Sequence, residues 1–212
     1  MGLEVLVPHV AHSRWMALVL RADAFHYGNA GDPEGAARRL IAIVRMARHL
    51  AESDPIVLSK LVGYGMLIRV QESADELMSY DMLDAAARRS LREELLRIDA
   101  RDPLDAKGAL ALELQGAILI IRETRGYSET LEIDLSPVSD AEREKAIAQV
   151  RDGIARIEAA WDRPDAVDQI TDITDSLTSP LARVAIGPMG PYREQVDLAA
   201  QRLREFIERL EP

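Results

Sequence analysis

Residues 32–50 read DPEGAARRLIAIVRMARHL, and this stretch decides the fold class. Asp32 is a residue type that caps helix N-termini, and Pro33 suits the first position of a helix. Beyond Pro33, apolar residues recur at steps of three and four, as they do along one face of an α-helix. The stretch therefore predicts a helix over residues 33–52.

Other helix starts carry the same kind of signal. Asp54 and Asp102 are each followed by proline, and Ser139 with Glu142 three residues later matches a capping box. Combined with the apolar spacing, these signals predict eight helices, at residues 10–29, 33–52, 55–79, 84–98, 103–124, 140–161, 164–177 and 191–210.

The helices predicted at residues 55–79 and 103–124 are apolar on most sides, which is typical of central helices. They contain Gly63, Gly65 and Gly116, and a glycine costs about 1 kcal/mol in a helix relative to alanine. We expect a closely approaching neighbour at each glycine to offset that cost.

Two segments lack the helical pattern. Residues 126–137 alternate Leu131, Ile133 and Leu135 with polar residues, which predicts an extended arm or a lone short strand. Residues 178–191 contain several prolines and glycines and are predicted to be a loop. Because neither is typical of a flexible linker, residues 1–212 are predicted to form one domain.

Composition favours the same architecture. Hydrophobic residues make up 48% of the 212 residues, but aromatic residues only 4%, so the core must be built from aliphatic side chains and methionine. Such a composition suits helices packed on helices better than a β-sandwich. The predicted fold class is all-α, a single-domain bundle of about seven or eight helices whose C-terminal helices span residues 140–210.

Charge and composition exclude several classes of function. The net charge of −10 disfavours nucleic acids and anionic membranes, which bind basic surfaces. There is no cysteine, so disulfides and zinc–thiolate sites are excluded, and no apolar stretch is long enough for a membrane span. Residues 1–20 lack the pattern of a signal peptide. The location stays open: cytoplasmic, or extracytoplasmic if an upstream anchor or signal has been removed.

The first two predicted helices, residues 10–52, resemble a single tetratricopeptide repeat. The matching residues are Ala24, Tyr27, Gly31, Asp32, Pro33, Glu34, Ala36 and Leu40, with the unit ending near Ala47 and Pro55. The resemblance implies a helical hairpin. The residues that follow do not repeat the pattern, and a solenoid needs at least about three repeats. We therefore expect one hairpin rather than a repeat array.

Residues 14–125 also resemble a group of uncharacterised bacterial all-helical proteins. The resemblance is carried by LRADA at residues 20–24, Gly31-Asp32, the run at residues 40–50, and a central helix that contains Glu113. Members of that group often carry an upstream membrane anchor. The resemblance implies an all-helical fold and is compatible with an extracytoplasmic setting, but it implies no activity.

Glu113 lies in the middle of the most apolar stretch of the chain. A carboxylate buried there must be paired or protonated. One interpretation is a general base or a ligand anchor; the other is a structural ion pair with an arginine of a neighbouring helix, for which Arg69, Arg45 and Arg21 are the candidates.

His12, His49 and Glu52 form a second candidate site. A hairpin that folds back at residues 31–33 places Glu52 opposite His12, with His49 nearby. Imidazoles with a carboxylate can bind zinc or a similar ion. The opposing interpretation is a set of ordinary half-buried polar side chains, because neither HExxH nor the ExxH of di-iron bundles is present.

The sequence thus leads to two hypotheses about function. The preferred one is a non-enzymatic protein-interaction or scaffold module with a protein or peptide partner, or a homo-oligomer. The alternative is a small-molecule- or metal-dependent enzyme that uses Glu113 or the His/Glu group. No cofactor is predicted, since the chain lacks the GxGxxG, GxSxG and P-loop patterns.

Overall fold

The computed structural model of the chain describes residues 8–54, 56–99, 101–128, 133–187 and 189–211. Those residues form nine α-helices and two short strands: α1 Pro8–Asn29, α2 Pro33–Ser53, α3 Val57–Ser79, α4 Ala85–Leu95, α5 Ala106–Glu123, β1 Tyr127–Ser128, β2 Ile133–Asp134, α6 Asp140–Ala160, α7 Ala166–Asp175, α8 Pro180–Ile186 and α9 Met189–Arg209. The predicted all-α class is confirmed. None of these helices combines the length and the apolar content needed to cross a membrane.

The chain divides into two compact units. The first contains Met1–Ala106 and Asp197–Pro212, and the second contains Lys107–Val196, so the division falls within α9. A single domain over residues 1–212 was predicted, and whether the two units together form one domain stays a prediction.

In the first unit, α2 is the central helix, because it packs against α1, α3 and α4. That residues 55–79 form a central helix of the whole chain stays a prediction. Five of the buried residues of α2 are glycine or alanine, which lets neighbouring helices approach it closely. The buried residues of α2 are Gly35, Ala36, Ala37, Leu40, Ile43, Val44, Ala47, Leu50 and Ala51.

Two of the predicted helix caps are present. The side chain of Asp32 accepts a hydrogen bond from the backbone N–H of Gly35 at 2.7 Å, at the start of α2. Ser139 and Glu142 form both hydrogen bonds of a capping box at the start of α6. Both caps act within three residues, so the sequence alone was sufficient to predict them.

The two other predicted Asp–Pro helix starts are wrong. Asp54 is the C-terminal cap of α2, and its carboxylate accepts hydrogen bonds from Ser59 at 2.6 Å and from His9 at 2.8 Å. The helix expected from residue 103 begins at Ala106, because Leu104 and Asp105 have φ values of 65° and 55° and cannot belong to a right-handed helix. Residue 55 lies outside the described residues.

A close neighbour was expected at each of Gly63, Gly65 and Gly116, but the structure has one only at Gly63. A Cβ added to Gly63 would lie 2.5 Å from Cδ1 of Leu104, whereas one added to Gly65 or Gly116 would meet nothing within 4 Å. The helix α5 exposes Leu112 and Leu119 but buries Leu110, Leu114 and Ile121, and its predicted central position stays a prediction.

In the second unit, α6 packs against α7 and α8, and α7 also contacts α8. The loop predicted over residues 178–191 contains α8, which begins at Pro180 because the Ser179 side chain accepts a hydrogen bond from the N–H of Ala182. In the described part of residues 126–137, β1 pairs antiparallel with β2, Tyr127 opposite Asp134, where an extended arm or a lone strand was predicted. Leu131 lies outside the described residues.

Arg143 of α6 is a buried cation that holds the second unit together. It is 3% exposed and donates hydrogen bonds to backbone carbonyl oxygens of Ile121 at 2.5 Å, Leu135 at 2.6 Å, Thr124 at 2.7 Å and Val138 at 3.2 Å. Ile121 belongs to the last turn of α5, whose final carbonyls have no partner within the helix. One guanidinium thus joins the end of α5, the segment after β2 and the start of α6.

Candidate functional site

The outer face of α1 is apolar and exposed. Trp15 is 70% exposed and Val19 is 60% exposed, and the four-residue spacing places them one turn apart on the same face. Leu18, three residues after Trp15, is partly exposed beside them. The other tryptophan of the chain, Trp161, is buried. Exposed, contiguous apolar side chains with a tryptophan are typical of protein-binding surfaces.

This face continues into a groove between α1 and α3, which we call the α1–α3 groove. Its volume is about 250 Å³, enough for a few aliphatic side chains. The lining residues are Arg14, Ala17, Leu18, Leu61, Val62, Gly65, Met66 and Arg69. Gly65 leaves its part of the wall open, since a Cβ there would meet nothing within 4 Å. The groove wall therefore combines apolar side chains with one arginine from each helix.

The two groove arginines differ from most others in the first unit. Arg38, Arg45 and Arg48 each lie within 4.0 Å of a carboxylate. Among the described residues, neither Arg14 nor Arg69 forms such an ion pair. In a chain with a net charge of −10, two unpaired guanidinium groups beside an apolar groove favour an occupant that carries carboxylates.

A buried carboxylate on α4 is bound by three arginines, two of which belong to α2. Glu94 is 3% exposed and accepts hydrogen bonds from Arg45 at 2.9 Å, Arg97 at 3.2 Å and Arg48 at 3.4 Å. The hydrogen bond from Arg45 and the positive charges of all three arginines hold the pKa of Glu94 below its ordinary value, although burial acts in the opposite direction. Glu94 is therefore an ionised, fully paired structural group.

Next to this cluster lies a larger pocket, which we call the Lys60 pocket. Its volume is about 480 Å³. The lining residues are Arg48, Ala51, Glu52, Lys60, Arg97, Ile98, Asp99, Asp102, Leu104 and Asp105. Lys60 of α3 is 2% exposed, and its ammonium donates a hydrogen bond to the carbonyl oxygen of Ala51 at 2.8 Å. Burial lowers the pKa of Lys60, and the carboxylates of nearby acidic residues offset only part of that effect.

Glu113 belongs to the second unit, and the three arginines proposed as its partners belong to the first. Glu113 is half-buried in α5 of the second unit. Arg45 pairs with Glu94, and Arg21 lies 3.7 Å from Glu76. Arg69 lines the α1–α3 groove. The structural ion pair between Glu113 and one of these arginines stays a prediction.

The predicted metal ligands are not assembled. Among the described residues, which include His12, His49 and Glu52, no group of three or more His, Asp or Glu side chains is placed to hold a metal ion. His12 lies on the exposed face of α1, and Glu52 is 3.7 Å from Arg48 in the next turn of α2.

Sequence reasoning missed Glu94, Lys60 and the apolar face of α1. One signal was available for Lys60, because lysines are only three of the 26 basic residues and this one falls in an apolar helix. Glu94 had no such signal, since it lies among charged residues typical of an exposed face. The exposure of Trp15 and Val19 had no signal either, because the position of an apolar residue in a helix does not by itself show which way its side chain faces.

The chain was compared with protein families, curated proteins and solved structures. No family model, curated protein or solved structure matches the chain.

Proposed function

We propose that this protein is a protein-interaction module that binds an amphipathic, acidic segment of a partner in the α1–α3 groove. The observation that carries the proposal is the exposed Trp15 and Val19 next to the α1–α3 groove, whose two arginines form no ion pair with a carboxylate among the described residues. Large aromatic side chains and arginines contribute most of the binding energy at protein interfaces.

The chemistry of the occupant follows from the groove. Apolar side chains at a spacing of three and four would contact Leu18, Leu61 and Met66, while carboxylates at the edge would pair with Arg14 and Arg69. A basic helix would place its charges against the two arginines and lose affinity. The partner segment is therefore a short helix with leucine-like residues on one face and glutamate or aspartate beside them.

Trp15 provides a direct reporter. The variant Trp161→Phe leaves Trp15 as the single tryptophan, with an emission typical of exposed indole. We would titrate it with a synthetic helical peptide that has leucine at positions i, i+4 and i+7 and glutamate elsewhere. A matched peptide has lysine in place of every glutamate, and a scrambled peptide keeps the composition. We expect the glutamate peptide to shift the emission to the blue, with an affinity that falls as salt is added.

Three variants locate the binding. Gly65→Leu fills the groove from a position with open space, so the fold is kept while binding is lost. Arg14→Glu combined with Arg69→Glu is expected to weaken binding at least about tenfold, which is about 1.4 kcal/mol. Leu96→Ala is the control, because Leu96 is also an exposed leucine but does not line the groove.

The proposal is rejected if the lysine peptide binds as tightly as the glutamate peptide, or if Gly65→Leu binds normally. It is also rejected if the emission of Trp15 shifts with protein concentration alone and no peptide competes. That result would assign the face to a second copy of the chain.

A further inference from the structure

The Lys60 pocket holds a second feature, which is independent of the α1–α3 groove. We propose that Lys60 is a nucleophilic amine that forms an imine with a small, uncharged hydroxyaldehyde or hydroxyketone bound in this pocket. The argument rests on residue choice, burial and the chemistry of the pocket wall.

Residue choice is the first observation. The chain uses arginine for nearly all its positive charge, and its three lysines are Lys60, Lys107 and Lys145. Lys107 is partly exposed and pairs with Asp162 at 2.7 Å, and Lys145 is exposed. Lys60 alone is buried, at 2% exposed, and it lines a pocket of about 480 Å³. An arginine cannot lose its proton in a protein, whereas a buried lysine can become a free amine.

The surroundings of Lys60 favour the free amine. Its ammonium has one hydrogen bond, to the carbonyl oxygen of Ala51, and that bond can also be donated by the neutral amine. Burial lowers its pKa, which increases the fraction of unprotonated amine at neutral pH. The charges of Asp105, Asp102 and Glu52 raise the pKa of Lys60, but by less than burial lowers it.

The charges of the pocket wall indicate the class of ligand. Arg48 and Arg97 contact Glu94, Arg48 also contacts Glu52, and the remaining wall carries the carboxylates of Asp99, Asp102 and Asp105. Those carboxylates repel an anion. They do accept hydrogen bonds from hydroxyl groups. A polyhydroxylated carbonyl compound of a few carbon atoms therefore fits the pocket in charge, hydrogen bonding and size.

The step is a balanced condensation. The lone pair of Nζ attacks the carbonyl carbon, the new C–N bond forms, and the carbonyl oxygen takes a proton to give a carbinolamine. The carbinolamine then loses its hydroxyl group and the second nitrogen proton as water, leaving the C=N bond. Nothing is oxidised or reduced, and the free amine returns when water adds back.

The test uses the folded full-length chain and glyceraldehyde as the probe. Cyanoborohydride delivers hydride to the imine and converts it to a stable secondary amine, and peptide mass mapping then quantifies the label on each of the three lysines. We expect the label on Lys60 to form several-fold faster than on Lys107 or Lys145, with a rate that saturates as the probe concentration rises. The rates at the two other lysines should rise linearly.

Two controls make the result decisive. Butyraldehyde has a similar size but no hydroxyl groups, so its reaction with Lys60 should not saturate over the same range. In denaturant the three lysines should react at similar rates with either aldehyde, which removes intrinsic differences between the peptides. The opposing outcome is a Lys60 that is protected in the folded chain and is labelled only after unfolding. That outcome would show that Lys60 only caps the end of α2, and it would overturn the proposal.

Discussion

The carboxylate of Glu94 and the guanidinium of Arg45 are 2.9 Å apart, yet the side chain of Glu94 is 3% exposed and that of Arg45 is 63% exposed. The pair therefore joins a buried position on α4 to the surface of α2. A second arginine of α2, Arg48, contacts the same carboxylate from a half-buried position. Because only the carboxylate is fully removed from water, the contribution of this cluster to stability depends on the ionisation of Glu94.

We expect Glu94→Gln to lower the free energy of unfolding by about 1–3 kcal/mol at pH 7, because the buried carboxylate accepts charge-assisted hydrogen bonds that an amide accepts only weakly. Glu93→Gln is the control, since Glu93 is an exposed neighbour on the same helix. Urea denaturation followed by circular dichroism measures both variants. Equal stability of Glu94→Gln and the parent would show that the cluster contributes nothing.

The same variant has a defined pH dependence. The pKa of Glu94 is lower in the folded chain than its ordinary value of 4.5, so its ionised form contributes stability above that value. The contribution disappears as the pH falls below 4.5 and through the folded-state pKa, where Glu94 takes up a proton. The difference in unfolding free energy between the parent and Glu94→Gln should therefore be constant from pH 7 to pH 5 and shrink in more acidic solution. A difference that grows on acidification would contradict this.

Arg143→Met should destabilise the second unit by at least about 3 kcal/mol. The change removes four hydrogen bonds and leaves buried carbonyl oxygens of α5 and the β2–α6 segment without their donor. Arg151→Met on the same helix is the control, because Arg151 is exposed and should change stability by less than about 0.5 kcal/mol. Hydrogen exchange at the end of α5 should also rise in Arg143→Met. Similar stability of the two variants would exclude a structural role for the buried arginine.

Gly63 and Gly65 provide a matched pair on α3. Gly65→Ala should raise the free energy of unfolding by about 0.5–1 kcal/mol, because the new methyl group has open space and alanine is the better helix former. Gly63→Ala should lower it by about 1 kcal/mol or more, since the methyl group would displace Leu104 from its buried position. Urea midpoints of the two variants measure the contrast. If both variants gain stability, Leu104 moves at little cost.

The contrast between these glycines shows where sequence reasoning stops. The composition of α3 indicates that its glycines are unusual, but Gly63 and Gly65 are two residues apart and therefore face different directions on the helix. Only Gly63 faces Leu104, which is 41 positions further along the chain in sequence numbering. The position of Leu104 depends on its left-handed backbone at φ 65°, and no local pattern indicates that conformation.

Residue spacing along the chain was enough to predict the all-α class, the approximate extents of the long helices, and the caps at Asp32 and Ser139. Those features depend on residues within one or two turns of each other, because helix hydrogen bonds and caps connect positions three or four apart. Tertiary structure decided that α2 is central, that α1 exposes Trp15, and that Glu94 meets arginines 46 and 49 positions away. Such relationships depend on how each helix is rotated and packed. That rotation is fixed by the fit of many side chains together, so a pattern read along one helix does not contain it.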